Sequence, residues 1–279
     1  MSYIGVGYVP VYNDDGSVVI VNIYKDSPAD KAGMKIGDVM LRIDGIDITG
    51  KGEEIVGSLT GGEEGTHVIF TVLRDGKSID IDVTRGKVMM PSVTFTIDGS
   101  IATIWISAFN SRTEEEFMDC LRKVEEYHVS GIVLDLLDNG GGLTDAVAPI
   151  ASCFLDEGDL VYSMDDHGTP TVFTASRTDL HTDLPVVILA NENTASAAEI
   201  LLCSLKENGR AVTAGQTTYG KGTWNYYSEI DGAVLYLTIG EWYTPNGNNI
   251  TGKGVTPDYV IPYDVDPFEW GINYLTGTN

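Results

Sequence analysis

A chain of 279 residues with an apolar fraction of 43% has room for two domains and enough apolar residues for a buried core. Seventeen Lys and Arg against 41 Asp and Glu leave a net charge of −24 along the whole chain, which argues against nucleic acid or anionic lipid as a partner and fits a solvated surface. No apolar run approaches the ~20 residues of a membrane-spanning helix, and no basic-then-apolar leader opens the sequence.

The chain begins with YIGVGY, residues 3–8, where Gly-x-Gly ahead of a strand reads either as a tight turn or as a backbone nest for a terminal carboxylate. SVVIVNIY is a strand. In the following KDSPADKAGMKIGD, Ser27 suits an N-cap, Pro28 the first helical position and Gly33 the helix end. VMLRIDGIDI is a strand turning at Asp44-Gly45, and GEEIVGSLT a second short helix. HVIFTVLRDGKSIDIDVTR is a hairpin closing at Asp75-Gly76. A join follows at KVMMPS, so residues 1–88 read as one domain and 89–279 as another.

In the second part SVTFTIDGSIATIWISAF is a hairpin turning at Asp98-Gly99. Thr113 should then cap a helix reaching about His128, with Phe117, Cys120, Leu121 and Val124 on its apolar face. GIVLDLL is a strand apolar enough for burial on both faces. The glycines of DNGGG after it read either as a plain strand-to-helix turn or as a loop exposing N–H groups to a ligand. An apolar helix containing Pro149 comes next, with a kink expected at the proline.

LPVVILAN is a second buried strand and delivers the chain to NENTASAAEI. There Ser196-Ala197-Ala198-Glu199 spells a helix capping box, in which the serine does no chemistry. A serine where a strand hands over to a helix also sits beside unpaired N–H groups and the positive end of a dipole, as an acyl-transfer nucleophile requires. Further on, GQTTYGKGTWN nearly matches a phosphate-binding loop. Gly222 stands where Ser or Thr is required and a strand-like segment follows, so that match fails. What remains is Lys221 between two glycines, either a solvated loop lysine or, if buried, a general base. VLYLTIGEWY is a late strand, and strand–helix alternation over this region indicates an α/β core.

Cys120, Cys153 and Cys203 are too few and too dispersed for a disulfide framework and sit among apolar residues of predicted helices. His67, His128, His167 and His181 form no metal-ligand spacing, so neither a metal nor another cofactor is expected.

Taken in order, these segments resemble the C-terminal processing, or tail-specific, peptidases, serine proteases with a PDZ domain ahead of a catalytic domain related to the ClpP/crotonase fold. SPADKAGMKIGDVMLRIDG is similar to the PDZ signature, GSIATIWISAFNSRTEEEF to the opening of the catalytic domain, and LDLLDNGGGL to a D-L-R-x-N-x-G-G-L segment. NENTASAAEI is similar to the nucleophile segment, TYGKG to the lysine segment, and YTPNGNNITGKGVTPD to the closing stretch.

The resemblance implies an α/β fold with a β-rich, two-helix PDZ domain followed by the catalytic domain. It implies Ser196 as nucleophile, Lys221 as base, and the N–H groups of Gly141 and Ala197 as oxyanion donors. Ile4, Gly5, Val6 and Gly7 would form the carboxylate-binding loop. Partners would be proteins or peptides with free C-termini, with self-association open, and the location would be outside the cytoplasm. Two positions depart from the pattern: Asn225 replaces a glutamine that orients the lysine, and Leu137 replaces an arginine. They leave two rivals, a serine served by a histidine such as His181 and a silent peptide-binding protein on a protease fold.

Overall fold

The computed structural model describes residues 2–164, 170–230 and 233–278, so His167 lies outside the described residues. The chain divides into two compact units, Met1–Pro91 and Ser92–Asn279.

The first unit holds β1 (Ser2–Gly5), β2 (Tyr8–Tyr12), β3 (Val18–Ile23), α1 (Pro28–Lys31), β4 (Val39–Ile43), β5 (Ile46–Asp47), α2 (Glu53–Thr60), β6 (His67–Arg74), β7 (Lys77–Thr84) and β8 (Gly86–Met89). Its main sheet runs β2-β3-β4-β6-β7, and β1 pairs with β8. Asp75 and Gly76 both take positive φ, so their two-residue turn matches the twist of the β6–β7 hairpin. Alternation along β6 sends Val68, Phe70 and Val72 into a core shared with Val18, Ile20 and Met40. Ser27 caps α1 by accepting from the Asp30 N–H, as the sequence suggests.

The second unit continues with β9 (Val93–Asp98), β10 (Ile101–Ile106), α3 (Thr113–Glu126), β11 (Gly131–Asp135), α4 (Val147–Ser152), β12 (Glu157–Met164), β13 (Pro170–Ser176), β14 (Val186–Ala190), α5 (Ala197–Glu207), β15 (Val212–Gly215), β16 (Thr223–Ile230), β17 (Ala233–Tyr243), β18 (Tyr259–Val260) and α6 (Pro267–Thr276). One sheet runs β18-β15-β14-β11-β10-β9, parallel except for β9, and a second runs β13-β12-β17-β16. β11 and β14 are buried throughout because both faces are covered. Ile132, Leu134 and Ile188 enter the core formed with α3, α4 and α5, while Val133, Val187 and Leu189 meet α6 residues such as Phe268 and Leu275.

Phe117, Leu121 and Val124 are fully buried on α3, each stabilising the fold by about 1.5–3 kcal/mol. Two expectations fail here. Thr113 does not cap α3 but is its first residue, and its buried hydroxyl bonds to Ser92 and to the Asn110 N–H. Pro149 stands in the first turn of α4, which starts only at Val147, rather than inside a longer helix, and a first-turn proline lacks an N–H that has no partner within that helix. All three cysteines are free and buried. Burial pushes the Cys120 thiol up to about 12 and Cys153 to about 11, and raises Cys203 further from its ordinary range, so none is a poised thiolate. No helix among the described residues is long and apolar enough to cross a membrane.

Candidate active site

The parallel strands β11, β14 and β15 end side by side, and the loops leaving their carboxyl ends carry Gly141, Ser196 and Lys221. The loop after β14 brings Ser196 to the start of α5 with φ 57° and ψ −119°. A side chain adopts that conformation at a cost of about 1–3 kcal/mol, the kind of strain found where a hydroxyl is held out at a sharp turn. The buried hydroxyl of Thr194, which donates to the Leu136 carbonyl at 2.8 Å, anchors this loop to the end of β11.

Glu199 is fully buried one turn into α5 and accepts four hydrogen bonds. One carboxylate oxygen takes the N–H of Ser196 at 2.8 Å and that of Lys221 at 2.9 Å. The other takes the Thr218 hydroxyl and the Gly220 N–H, both at 2.6 Å. The serine and the lysine thus have their backbones fixed on a single oxygen atom. Tyr219 N–H donates to the Thr194 carbonyl at 3.0 Å and joins the two loops again.

The glycines beside Lys221 follow from what its loop packs against. A Cβ on Gly220 would lie 2.6 Å from the Gly254 nitrogen, and one on Gly222 2.5 Å from the Thr251 hydroxyl. Gly220, with backbone on two sides and a φ of 87°, must therefore be glycine for the loop to lie on residues 250–254, and Gly222 lets the loop approach Thr251 closely. The buried Trp242 indole donates to the Lys221 carbonyl at 3.0 Å from the other side. Among the described residues, no hydrogen bond joins the Ser196 hydroxyl to the Lys221 amine, and the link between them runs through Glu199.

Gly141 packs directly on the Ser196 turn, where a Cβ would sit 2.5 Å from the Ala195 carbonyl oxygen and 2.9 Å from the Ala197 nitrogen. Its positive φ of 88° suits glycine alone. Its N–H donates to the side chain of Asn139 at 2.8 Å. Asn139 is buried, donates to the Ile106 carbonyl at 2.6 Å and accepts the Ala195 N–H at 2.9 Å on its own carbonyl. Ala197 is the first residue of α5, so its N–H has no partner within the helix. Asn225 lies on β16 opposite Thr238, whose hydroxyl donates to it at 3.1 Å, and among the described residues no hydrogen bond connects Asn225 to Lys221. His181 bonds to Asp183 at 3.2 Å ahead of β14, at the opposite end of that strand from Ser196.

Leu137 packs against the α6 core cluster, and the buried Asp135 accepts the Leu137 N–H at 2.8 Å. Burial, reinforced by the nearby charge of Asp138, pushes the Asp135 carboxyl up to about 6. A carboxyl raised in the fold binds its proton more tightly there than in the unfolded chain. Its contribution is complete below about pH 4 and is lost as pH rises through 6. Asp135→Asn is therefore expected to stabilise the protein above pH 7 by as much as ~3 kcal/mol, with the gain shrinking towards pH 4. Thermal melts of both proteins across that range measure the difference.

Beside the chemical residues lies a cavity of about 240 Å³, lined by Asp145, Ala148, Leu160, Phe173, Ile200 and Trp224 among others. Ile200 stands one helical turn beyond Ser196, and its N–H bonds to the Ser196 carbonyl. In the first unit a groove of about 330 Å³ runs along β2 and α2. Ile4, Gly5, Val6 and Gly7 all line it, together with Val56 and Thr60. Gly7 takes a φ of 91°, and a Cβ there would meet the Ser27 hydroxyl at 2.8 Å. Among the described residues the buried Val6 and Gly7 N–H groups have no acceptor within the fold.

Glu199, Asn139 and Thr194 are the structural residues that motif reading passed over. One signal for Glu199 was available: a lone carboxylate in AAEILLCSL sits on a helix too apolar to be exposed, and a buried charge demands partners.

The model of peptidase family S41 matches residues 100–261, and that of the PDZ domain residues 2–84. A protein named as a CtpA-like serine protease in Staphylococcus haemolyticus is 34% identical over 263 residues, covering 93% of this chain and 53% of its own length. One with the same description in Staphylococcus aureus strain N315 is 32% identical, with the same coverage. The chain therefore spans about half the length of the curated relatives it matches. Among solved structures, a photosystem II D1 C-terminal processing protease is similar at 31% identity and a TM-score of 0.59, covering 96% of this chain and 75% of its own.

Proposed function

The chain belongs to peptidase family S41, and on that premise we propose that it is a serine endopeptidase that captures the carboxy-terminal tail of a protein in its PDZ groove and cleaves the same substrate at Ser196. The observation that carries this is the convergence of the Ser196 and Lys221 backbones on one Glu199 oxygen beside a glycine-rich loop.

In the proposed cycle Lys221, as the free amine, takes the Ser196 hydroxyl proton while the oxygen attacks the scissile carbonyl. The Ala197 N–H meets the developing oxyanion. The Gly141 N–H becomes the second donor when it leaves Asn139, a rotation of the Gly140–Gly141 peptide eased by the glycine on each side of it. Collapse of the tetrahedral adduct breaks the C–N bond, and Lys221 returns the proton to the leaving amine. Water then hydrolyses the ester by the same steps, releasing the acid and restoring Ser196. The cavity formed by Ala148, Ile200 and Trp224 would take an apolar side chain next to the cleaved bond. Asn225 stays with Thr238 and is given no step. As with other processing peptidases of this type, we place the work outside the cytoplasm.

A serine-reactive phosphonate tests this. The probe is expected to label the chain at Ser196, and a tailed, loosely folded protein to be cut faster with a free than with an amidated carboxy terminus. Absence of both labelling and cleavage would leave a silent peptide-binding protein as the better account.

A further inference from the structure

The peptide groove carries one feature that the proposed tail capture does not explain, and the inference below rests on that capture. β2 is the outer strand of its sheet and one wall of the groove. The polar groups of a strand backbone point alternately to its two sides. The Gly7 carbonyl accepts from the Tyr24 N–H at 3.0 Å and the Asn13 N–H donates to Ser17 at 3.0 Å, so the odd-numbered residues face β3. Tyr8, Pro10 and Tyr12 therefore face the open edge.

The opposite strand gives the same answer independently. Pro10 lies across from Ile20, and Ile20 directs its N–H to Asp38 at 2.9 Å and its carbonyl to Gly37 at 2.8 Å, away from β2. Residues directly opposed in an antiparallel pair either face each other or both face away, so Pro10 also faces away. The register irregularity beside Pro10 places its extra residue, Val21, in β3 and leaves the alternation of β2 intact.

An extended tail lying antiparallel on this edge would exchange two hydrogen bonds with each outward residue. Tyr8 can supply both. At the next outward position Pro10 has a carbonyl but no N–H, and its ring fills the place of the missing donor. A proline is tolerated in a sheet only at such an edge, where it also blocks unwanted strand pairing.

We propose that Pro10 ends the peptide ladder, making it a specificity-determining residue: the groove reads a free terminal carboxylate and the last two residues, and gains little from the rest of the tail. The substrates are then proteins sharing a short, flexible carboxy-terminal end rather than an extended consensus.

The test measures binding of fluorescein-labelled free-acid peptides of three, five and eight residues with one common terminus. The full chain is used with Ser196→Ala, so that nothing is cleaved. The three affinities are expected to agree within about twofold. Pro10→Val should tighten the two longer peptides by about 3- to 10-fold through one restored hydrogen bond. More than a threefold gain from three to eight residues without the Pro10 change overturns the proposal, and so does Pro10→Val leaving the longer peptides unchanged. Equal binding of amidated and free-acid peptides would instead overturn carboxylate capture itself.

Discussion

Ser196→Ala and Lys221→Ala are each expected to remove peptide-bond cleavage, by about 10⁴-fold or more in kcat. The double variant should be hardly worse than either alone, because nucleophile and base act as a unit. Initial rates on a tailed, loosely folded substrate measure this, and full activity in either variant would sink the Ser–Lys mechanism. Ser196→Gly adds a second readout. It is equally inactive, but glycine holds φ 57° and ψ −119° without the strain of a Cβ. Relief of roughly 1 kcal/mol should make it melt about 2–4 °C above Ser196→Ala. A lower melting temperature for Ser196→Gly would mean that the turn stores no strain.

Glu199→Gln is expected to have the second largest effect, although the side chain keeps its shape. All four partners of the Glu199 carboxylate are donors. A carboxamide must aim its NH₂ at two of them. Turned one way it meets the N–H groups of Ser196 and Lys221, and turned the other way it meets the Gly220 N–H and a Thr218 hydroxyl that must redirect its proton to accept. At least one buried hydrogen bond therefore becomes a donor–donor contact. The Ser196 and Lys221 loops then separate. A displacement of about 1 Å in such a pair costs on the order of 10²-fold in rate. The loss should fall mainly on kcat, because Glu199 touches neither groove nor cavity, and the melting temperature should drop as well. Thr218→Val removes one partner of the four and should cost far less. A Glu199→Gln protein with unchanged kcat would show that the loops are held by something else.

Much of the fold was legible because local chemistry and tertiary structure agree. Asp-Gly pairs at 44–45 and 75–76 turn where their positive φ allows it, Ser27-Pro28 opens a helix, and the unbroken apolar runs of β11 and β14 are buried on both faces. Thr113 and Pro149 were misread because both arguments needed a helix start to within two residues, and tertiary contacts set those starts: Ser92 claims the Thr113 hydroxyl, and α4 begins only after a turn of 3₁₀-helix.

At the site, Ser196, Lys221 and Gly141 were recognisable only as an ordered set of short motifs. The role of Glu199 was hidden in plain view as the last letter of a capping box. Its bond to the Ser196 N–H is the local one that a box predicts, while its bonds to Thr218, Gly220 and Lys221 cross some twenty positions of chain that no local pattern encodes. The pairing of Asn225 with Thr238 depends on a register shift between Trp224 and Asn225 that the sequence does not announce.

The packing of Gly220 and Gly222 on residues 250–254 also bears on the order in which the site can assemble. A chain emerging from the ribosome exposes Gly141 first, then Ser196, then Lys221, and only later the segment against which the lysine loop is moulded. β18, which borders β15 at the edge of the sheet, emerges later still. Until then the lysine loop lacks the surface on which its glycines pack. The lysine loop is thereby completed only after residues 250–254 have been made, about thirty positions beyond Lys221 itself.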